Sequence, residues 1–212
     1  MRALASASLW TRPWPRALGL AAALVASACA TSGGTRPAPA AARDQRAFTV
    51  SERVRVGGGV RADFERAVGL LEQEQYAAAI ALLVEVTEEA PRVTAAHINL
   101  GIAYGRAGDL ERARASLEQA VALNSRHPVA HNELGIVYRR LGRFAEARQS
   151  YETALALYPD FHFARRNLAI LCDLYLADAE CALENYELYA KTAPGDETAA
   201  MWIADLRTRT GR

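Results

Sequence analysis

Cysteine, histidine and charge of one sign are all scarce in this 212-residue chain. It has three cysteines and four histidines, too few for a small disulfide-built scaffold or for a protein with several metal centres. The 25 basic and 24 acidic residues leave a formal net charge of +1, so the chain lacks the strong positive charge typical of nucleic-acid binding. Hydrophobic residues make up 51% of the sequence, enough for a globular core.

Catalytic motifs are missing as well. The sequence contains no G-x-S-x-G, H-E-x-x-H or phosphate-loop pattern. The glycine run at 57–59 has neither a firm strand before it nor the lysine of a phosphate loop. We therefore predict that the chain is not an enzyme and has no cofactor and no small-molecule substrate.

The segment 1–28 has the features of an export signal. Arg2, Arg12 and Arg16 precede the apolar run Ala17–Ala26, and no acidic residue occurs among them. The run is about half the length of a membrane-spanning helix. Removing the segment takes away three arginines and no acid, so the formal charge would fall from +1 to −2.

A cysteine follows this segment directly. The sequence Ala26-Ser27-Ala28-Cys29 resembles the lipobox of bacterial lipoproteins, although Ala26 stands where that family prefers leucine. The resemblance implies that Cys29 is acylated, becomes the mature N-terminus and anchors the protein in a membrane. Ala30, in place of aspartate, implies the outer membrane, with the protein facing the periplasm. The alternative is an ordinary A-x-A cleavage site at which Cys29 is incidental.

The segment 29–59 has the composition of a linker. It is rich in alanine, glycine, proline and arginine, which predicts a flexible tether. Within it, Phe48–Val50 and Val54–Val56 alternate apolar and polar residues. This alternation favours either a short strand or an extended tether without fixed structure.

From position 60 onwards the sequence repeats with a period of about 34 residues. Gly101 and Gly135 share one position within the matching segments Asn99–Tyr104 and Glu133–Tyr138. Other recurring positions hold Ala79, Ala113 and Ala147; Leu83, Leu117 and Tyr151; Gly108 and Gly142; and Pro91 and Pro159. These residues resemble the tetratricopeptide repeat over positions 60–195. The resemblance implies an all-α right-handed solenoid of about four helix-turn-helix repeats, with small residues where paired helices cross.

The fourth repeat departs from this spacing. Ala182 takes the small-residue position, so the turn around Leu176–Glu180 is predicted to be one residue longer and lacks its glycine. The segment 196–212 begins with the capping residue Asp196 and continues with an apolar pattern that includes Trp202. This pattern predicts a C-terminal capping helix that covers the last exposed face of the solenoid.

Two pairs of residues are candidates for cross-linking or metal binding. Cys172 and Cys181 are predicted late in one helix and early in its antiparallel partner, within disulfide range. The alternative is a buried Cys172 with a free Cys181.

His127 and His131 have a spacing that suits a metal on one helical face, but His97 and His131 occupy the same position of successive repeats. A packing role in the repeat therefore explains these histidines better, and we predict no metal site.

In solenoids of this family the ligand surface is usually the concave face, formed by the first helix of each repeat. The residues assigned to this groove are Phe64, Ile98, Asn132, Ile136, Arg139, Arg140, Phe163, Arg166, Ile170 and Asp173. An apolar stripe flanked by Arg139, Arg140 and Arg166 suits an amphipathic helix or an extended peptide with acidic flanks. The alternative is that these arginines are only solvated.

These features predict a membrane-anchored adaptor for protein–protein interaction. The lipid would fix its location, the tether would give it reach, and the groove would capture a segment of an envelope protein. The resemblance implies a role in assembling an envelope machine: a pilus or secretin, an outer-membrane complex or a motility complex. The alternative is an adaptor that regulates peptidoglycan hydrolases or synthases. Neither function involves nucleic acid.

Overall fold

The computed structural model describes residues 54–211, and within them nine α-helices follow one another without a strand. Their bounds are α1 Gly58–Glu72, α2 Tyr76–Glu89, α3 Thr94–Ala107, α4 Leu110–Leu123, α5 Pro128–Arg140, α6 Phe144–Leu157, α7 His162–Leu174, α8 Ala179–Thr192 and α9 Glu197–Thr210. The predictions for the signal segment 1–28, for Cys29 and for Phe48–Val50 lie outside the described residues.

Four helix pairs and a final helix confirm the predicted all-α repeat fold. Helix α1 begins at Gly58, slightly before the predicted start of the repeats, so Gly58 and Gly59 are helical. Val54–Val56 forms neither helix nor strand. Within residues 54–211, no helix combines the length and the apolar composition needed to cross a membrane.

The helices form two layers. The backbone of each helix packs on its neighbours along the chain, and in addition α1 approaches α3, α3 approaches α5, and α5 approaches α7. Among the described helices, the backbones of α2, α4, α6 and α8 do not approach one another in this way. The first helices α1, α3, α5 and α7 are therefore the closer-spaced, inner layer of the solenoid, and α2, α4, α6 and α8 are the outer layer.

Small residues bring the two helices of each repeat close together. The alanines at the four crossings are fully buried; they are Ala79, Ala113, Ala147 and Ala182. A Cβ atom added to Gly101 would lie 2.5 Å from Cγ of Leu117, and one added to Gly135 would lie 2.6 Å from Cε1 of Tyr151. Only glycine fits these two positions without displacing the large residue of the second helix.

Each turn within a repeat contains one residue with a left-handed backbone. These residues are Glu74 (φ 59°), Gly108 (φ 91°), Gly142 (φ 76°) and Ala177 (φ 51°). The first three occupy the same repeat position, whereas Ala177 stands one place later, so the fourth turn has the extra residue that was predicted. Glycine adopts this conformation readily, while a residue with a Cβ atom loses about 1–2 kcal/mol.

The histidines support the connections between repeats. In three successive repeats, the side chain at one position of the first helix forms a hydrogen bond with a backbone carbonyl of the loop before that helix. The three bonds run from His97 to Pro91, from His131 to Ser125 and from Arg165 to Pro159, each 2.9 Å long. His127 caps α5 by accepting the N–H of Ala130 at 3.4 Å. These contacts give His127 and His131 a structural role.

A disulfide joins Cys172 of α7 to Cys181 of α8, with their Cα atoms 5.9 Å apart. Between them, Asp178 caps α8 by accepting the N–H of Cys181 at 3.1 Å and pairs with Arg148 of α6 at 3.2 Å. The two sulfurs and the Asp178 carboxylate lie within 4.8 Å of one another. However, sulfurs that are bonded to each other are not the thiolates that bind a metal. The disulfide instead ties together the two helices that flank the longer turn of the fourth repeat.

Helix α9 closes the solenoid by packing on α8. Ala199 and Leu206 of α9 are buried, and the ring of Trp202 lies 5.2 Å from that of Tyr186. Asp196 caps the helix at Thr198 and accepts the hydroxyl of Tyr189 at 2.6 Å. These hydrogen bonds lower the pKa of Asp196.

Replacing Gly135 with alanine is expected to lower the free energy of unfolding by about 1–3 kcal/mol, because the added methyl group overlaps the ring of Tyr151. Gly69→Ala in α1 is the control, since no atom lies within 4 Å of its added Cβ. We expect that change to raise the free energy by up to about 1 kcal/mol. Urea unfolding followed by circular dichroism measures both. A Gly135→Ala chain as stable as the wild type would contradict the close crossing.

Replacing Cys172 and Cys181 together with alanine is expected to lower the free energy of unfolding by about 2–3 kcal/mol. The disulfide closes a short loop, with a sequence separation of 9, and so restricts the unfolded chain. Urea unfolding with and without a dithiol reductant tests this. Reduction should lower the stability of the wild type and leave the double variant unchanged; equal stability of reduced and oxidised wild type would refute the stabilising role.

Candidate inner-layer binding surface

The predicted groove residues lie on the inner-layer helices, but their environments differ. Ile98 and Asn132 are buried, which corrects the prediction that they line the groove. Ile98 belongs to the core formed by α1 to α5. Asn132 accepts a hydrogen bond from Asn167 of α7 at 3.0 Å and donates one to Glu133 at 2.9 Å. Both residues therefore join the repeats to one another and offer no surface to a partner.

The apolar groove residues divide in the same way. Phe64 is half-buried against the core, and Ile136 and Ile170 are half-buried beside the disulfide-linked repeat. Phe163, by contrast, is 47% exposed, and Leu174 at the end of α7 is 67% exposed. Leu174 was not predicted, although it stands one repeat after Arg140. The same spacing that identified the other groove positions was sufficient to find it.

Arg139 is held between two tyrosines. Its guanidinium lies over the ring of Tyr175, 5.5 Å from the centroid, and donates to the Tyr175 hydroxyl at 3.3 Å. Its Nε and the hydroxyl of Tyr151 are both buried and have no hydrogen-bond partner. Burial raises the pKa of Tyr151 to about 12, and the nearby Arg139 offsets part of this shift. No carboxylate of the described residues forms an ion pair with Arg139.

Arg140 and Arg166 are also held by groups that carry no negative charge. Arg140 donates to the backbone carbonyl of Gly105, near the end of α3. Arg166 lies over two rings, 5.8 Å from the centroid of Phe163 and 6.0 Å from that of Tyr189. These contacts restrict both guanidinium groups and leave them without an ion-pair partner among residues 54–211.

Asp173 is the exception among the predicted groove residues. Its side chain is largely buried, pairs with Arg209 of α9 at 2.6 Å and accepts a hydrogen bond from Tyr186 at 3.4 Å. The prediction that Asp173 is available to a partner is therefore corrected. Its carboxylate connects α7 to the closing helix.

From α3 onwards, the arginines of the helices are paired or unpaired according to the helix that carries them, whereas in α1 Arg66 pairs with Asp63 at 3.0 Å. Every arginine of α4, α6 and α9 forms an ion pair with a carboxylate; these are Arg112, Arg114, Arg148, Arg207 and Arg209. The arginines of α3, α5 and α7 are Arg106, Arg139, Arg140, Arg165 and Arg166. Ion pairs within residues 54–211 include none of these five. The three central helices of the inner layer thus carry arginines without carboxylate partners, and one of these, Arg166, lies over the exposed Phe163.

Comparisons with known proteins support the repeat fold. A family model described as tetratricopeptide repeat matches residues 64–104 and 98–161. No curated protein matches the chain in sequence. Among solved structures, PilF of Pseudomonas aeruginosa is similar, with 23% identity and a TM-score of 0.66, over 71% of this chain and 68% of that one. MamA of Desulfovibrio magneticus has 18% identity and a TM-score of 0.66, over 74% and 88% of the two chains.

A third similar structure contains a bound peptide. It is the first tetratricopeptide domain of Spaghetti, bound to the HSP90 peptide SRMEEVD. Its identity to this chain is 25% and its TM-score 0.54, over 58% of this chain and 98% of that one. The matched repeats, the paired helices and these structural similarities together show that residues 58–210 fold as tetratricopeptide-type repeats.

Proposed function

We propose that this protein is an adaptor whose inner layer binds a partner segment with apolar anchors and acidic flanks. The observation that carries the proposal is the set of unpaired arginines on α3, α5 and α7, next to exposed apolar side chains, while the arginines of α4, α6 and α9 are paired. Tetratricopeptide solenoids are a protein-binding type of fold, and the similar Spaghetti domain binds an acidic peptide.

The contacts of these arginines explain why they suit such a partner. The rings of Tyr175, Phe163 and Tyr189 and the Gly105 carbonyl hold the guanidinium groups in place. Because the side chains are already restricted, less conformational entropy is lost when a carboxylate binds. A carboxylate also forms paired, charge-assisted hydrogen bonds with a guanidinium. Phe163 and Leu174 would supply the apolar contacts of the same surface.

The proposed location is the bacterial envelope. The lipobox-like segment supports acylation of Cys29, and Ala30 supports the outer membrane. The Cys172–Cys181 disulfide adds independent support, because disulfides persist in oxidising compartments such as the periplasm. An anchored adaptor with a flexible tether raises the local concentration of the segment it binds. This mechanism suits assembly of an envelope machine such as a pilus, a secretin, an outer-membrane complex or a motility complex.

Two peptides that differ only in charge test the binding proposal. Both have a Leu-Phe-Leu centre; one is flanked by glutamates and the other by lysines. By fluorescence anisotropy, the glutamate peptide is expected to bind more tightly than the lysine peptide. Arg139→Gln and Arg166→Gln should each weaken its binding about 10-fold, because each removes a charge-assisted hydrogen bond of about 1.5 kcal/mol or more.

The matched control is Arg112→Gln with Arg114→Gln, which removes two paired arginines from the outer layer. This change should leave the affinity within about twofold, since surface ion pairs contribute little. Circular dichroism checks that all variants are folded. If the control weakens binding as much as the inner-layer variants do, the effect is one of total charge and the proposed surface is wrong.

Cys29→Ala is expected to release the protein from the membrane fraction of expressing bacteria and to abolish incorporation of labelled fatty acid. The reason is that one cysteine sulfur carries the proposed anchor. The Cys172→Ala, Cys181→Ala double variant is the control and should remain with membranes and labelled. Wild-type protein that takes up no label would show that Cys29 is not acylated.

A further inference from the structure

Helix α9 has the pattern of a first helix, but no second helix packs on it within residues 54–211. Ala169 follows Gly135 by one repeat, and Ala204 follows Ala169 by one repeat plus one residue. Ala204 therefore corresponds to Gly135. In the second and third repeats this position lies against the large residue of the second helix, Leu117 or Tyr151. Among the described helices, the backbone of α9 lies close only to that of α8. Among the described helices, the surface of α9 that its contact with α8 leaves uncovered therefore has no partner helix.

This face is apolar at its centre and opens into a groove. Ala200, Met201 and Ala204 are all exposed, and Met201 is 68% exposed. Ala200 and Ala204 line a surface cavity of about 420 Å³ between α8 and α9, together with Ile203 of α9 and with Ala190 and Lys191 of α8.

The charges at the two ends of α9 are opposite. Glu197 stands in the first turn and Arg207 in the last, where Arg207 already pairs with Glu187 of α8 at 2.7 Å. If a second α9 lies antiparallel to the first, with the two-fold axis level with Trp202, Glu197 lies opposite Arg207 of the second copy. The same operation places Ala200 opposite Ala204. The face is thus complementary to itself, as a two-fold interface requires.

We propose that the protein forms a homodimer through antiparallel contact of α9 with α9 of a second copy. Ala200 and Ala204 let the two helices approach closely and cover the groove that they line beside α8. Each Glu197 pairs with Arg207 of the second copy, which links it to the existing Glu187 ion pair. Since the contact involves little more than one helix from each copy, we expect a weak dimer with a dissociation constant in the micromolar range.

Sedimentation equilibrium of the purified full chain, from about 1 to about 200 μM, tests the proposal by spanning this affinity range. The wild type should change from monomer to dimer mass across it. Ala204→Glu should raise the dissociation constant at least about 100-fold, because it places a carboxylate at the centre of the contact in both copies. Thr198→Glu is the matched control: it adds the same charge to an exposed position on another side of α9 and should leave the dimer intact.

A charge exchange makes the test specific. Glu197→Arg should weaken the dimer by placing arginines opposite each other. Adding Arg207→Glu together with Glu187→Arg, which keeps an ion pair between α8 and α9 in each copy, should restore much of the lost affinity. Unchanged helical content by circular dichroism shows that each variant is folded. Wild type that stays monomeric at the highest concentration, or an Ala204→Glu chain that still dimerises, would overturn the proposal; in the first case a helix of a different protein becomes the candidate occupant of this face.

Discussion

The close crossing of the two helices within each repeat is the constraint on which the structure depends. Gly101 and Gly135 leave no room for a Cβ atom, and the large residues Leu117 and Tyr151 fill the space that these glycines leave open. Because each repeat buries its faces only against its neighbours, the crossing distance sets the path of the whole solenoid. The position of every inner-layer side chain follows from that path.

The distribution of charge is the main clue to what this scaffold does. Arginines on α4, α6 and α9 are satisfied by carboxylates, in most cases on their own helix. Those on α3, α5 and α7 include side chains that rest on rings and a carbonyl, which orient a guanidinium without neutralising it. A surface that is ordered but not neutralised is suited to a partner that brings its own carboxylates. The arginines thus explain the proposed preference better than the apolar stripe does.

The fourth repeat shows how irregular spacing is accommodated. Its turn is one residue longer and uses Ala177 in a left-handed conformation where two other repeats use glycine. Three contacts hold the helices around this turn: the Cys172–Cys181 disulfide, the Asp178 cap, and the ion pair of Asp173 with Arg209. The last of these removes Asp173 from the binding surface. The ion pair that helps to close the solenoid therefore also takes a carboxylate out of the groove.

The sequence by itself determined the helix pairs, the close crossings and the extra residue of the fourth turn, because the repeat period records local spacing directly. It also placed the groove positions on the right helices. Only the tertiary structure decided which of them are accessible: Asn132 is buried against Asn167, Arg139 lies on Tyr175 and Asp173 is bound by Arg209. These contacts join residues 35 or 36 positions apart. They depend on how neighbouring repeats pack, and a repeat pattern does not encode that packing.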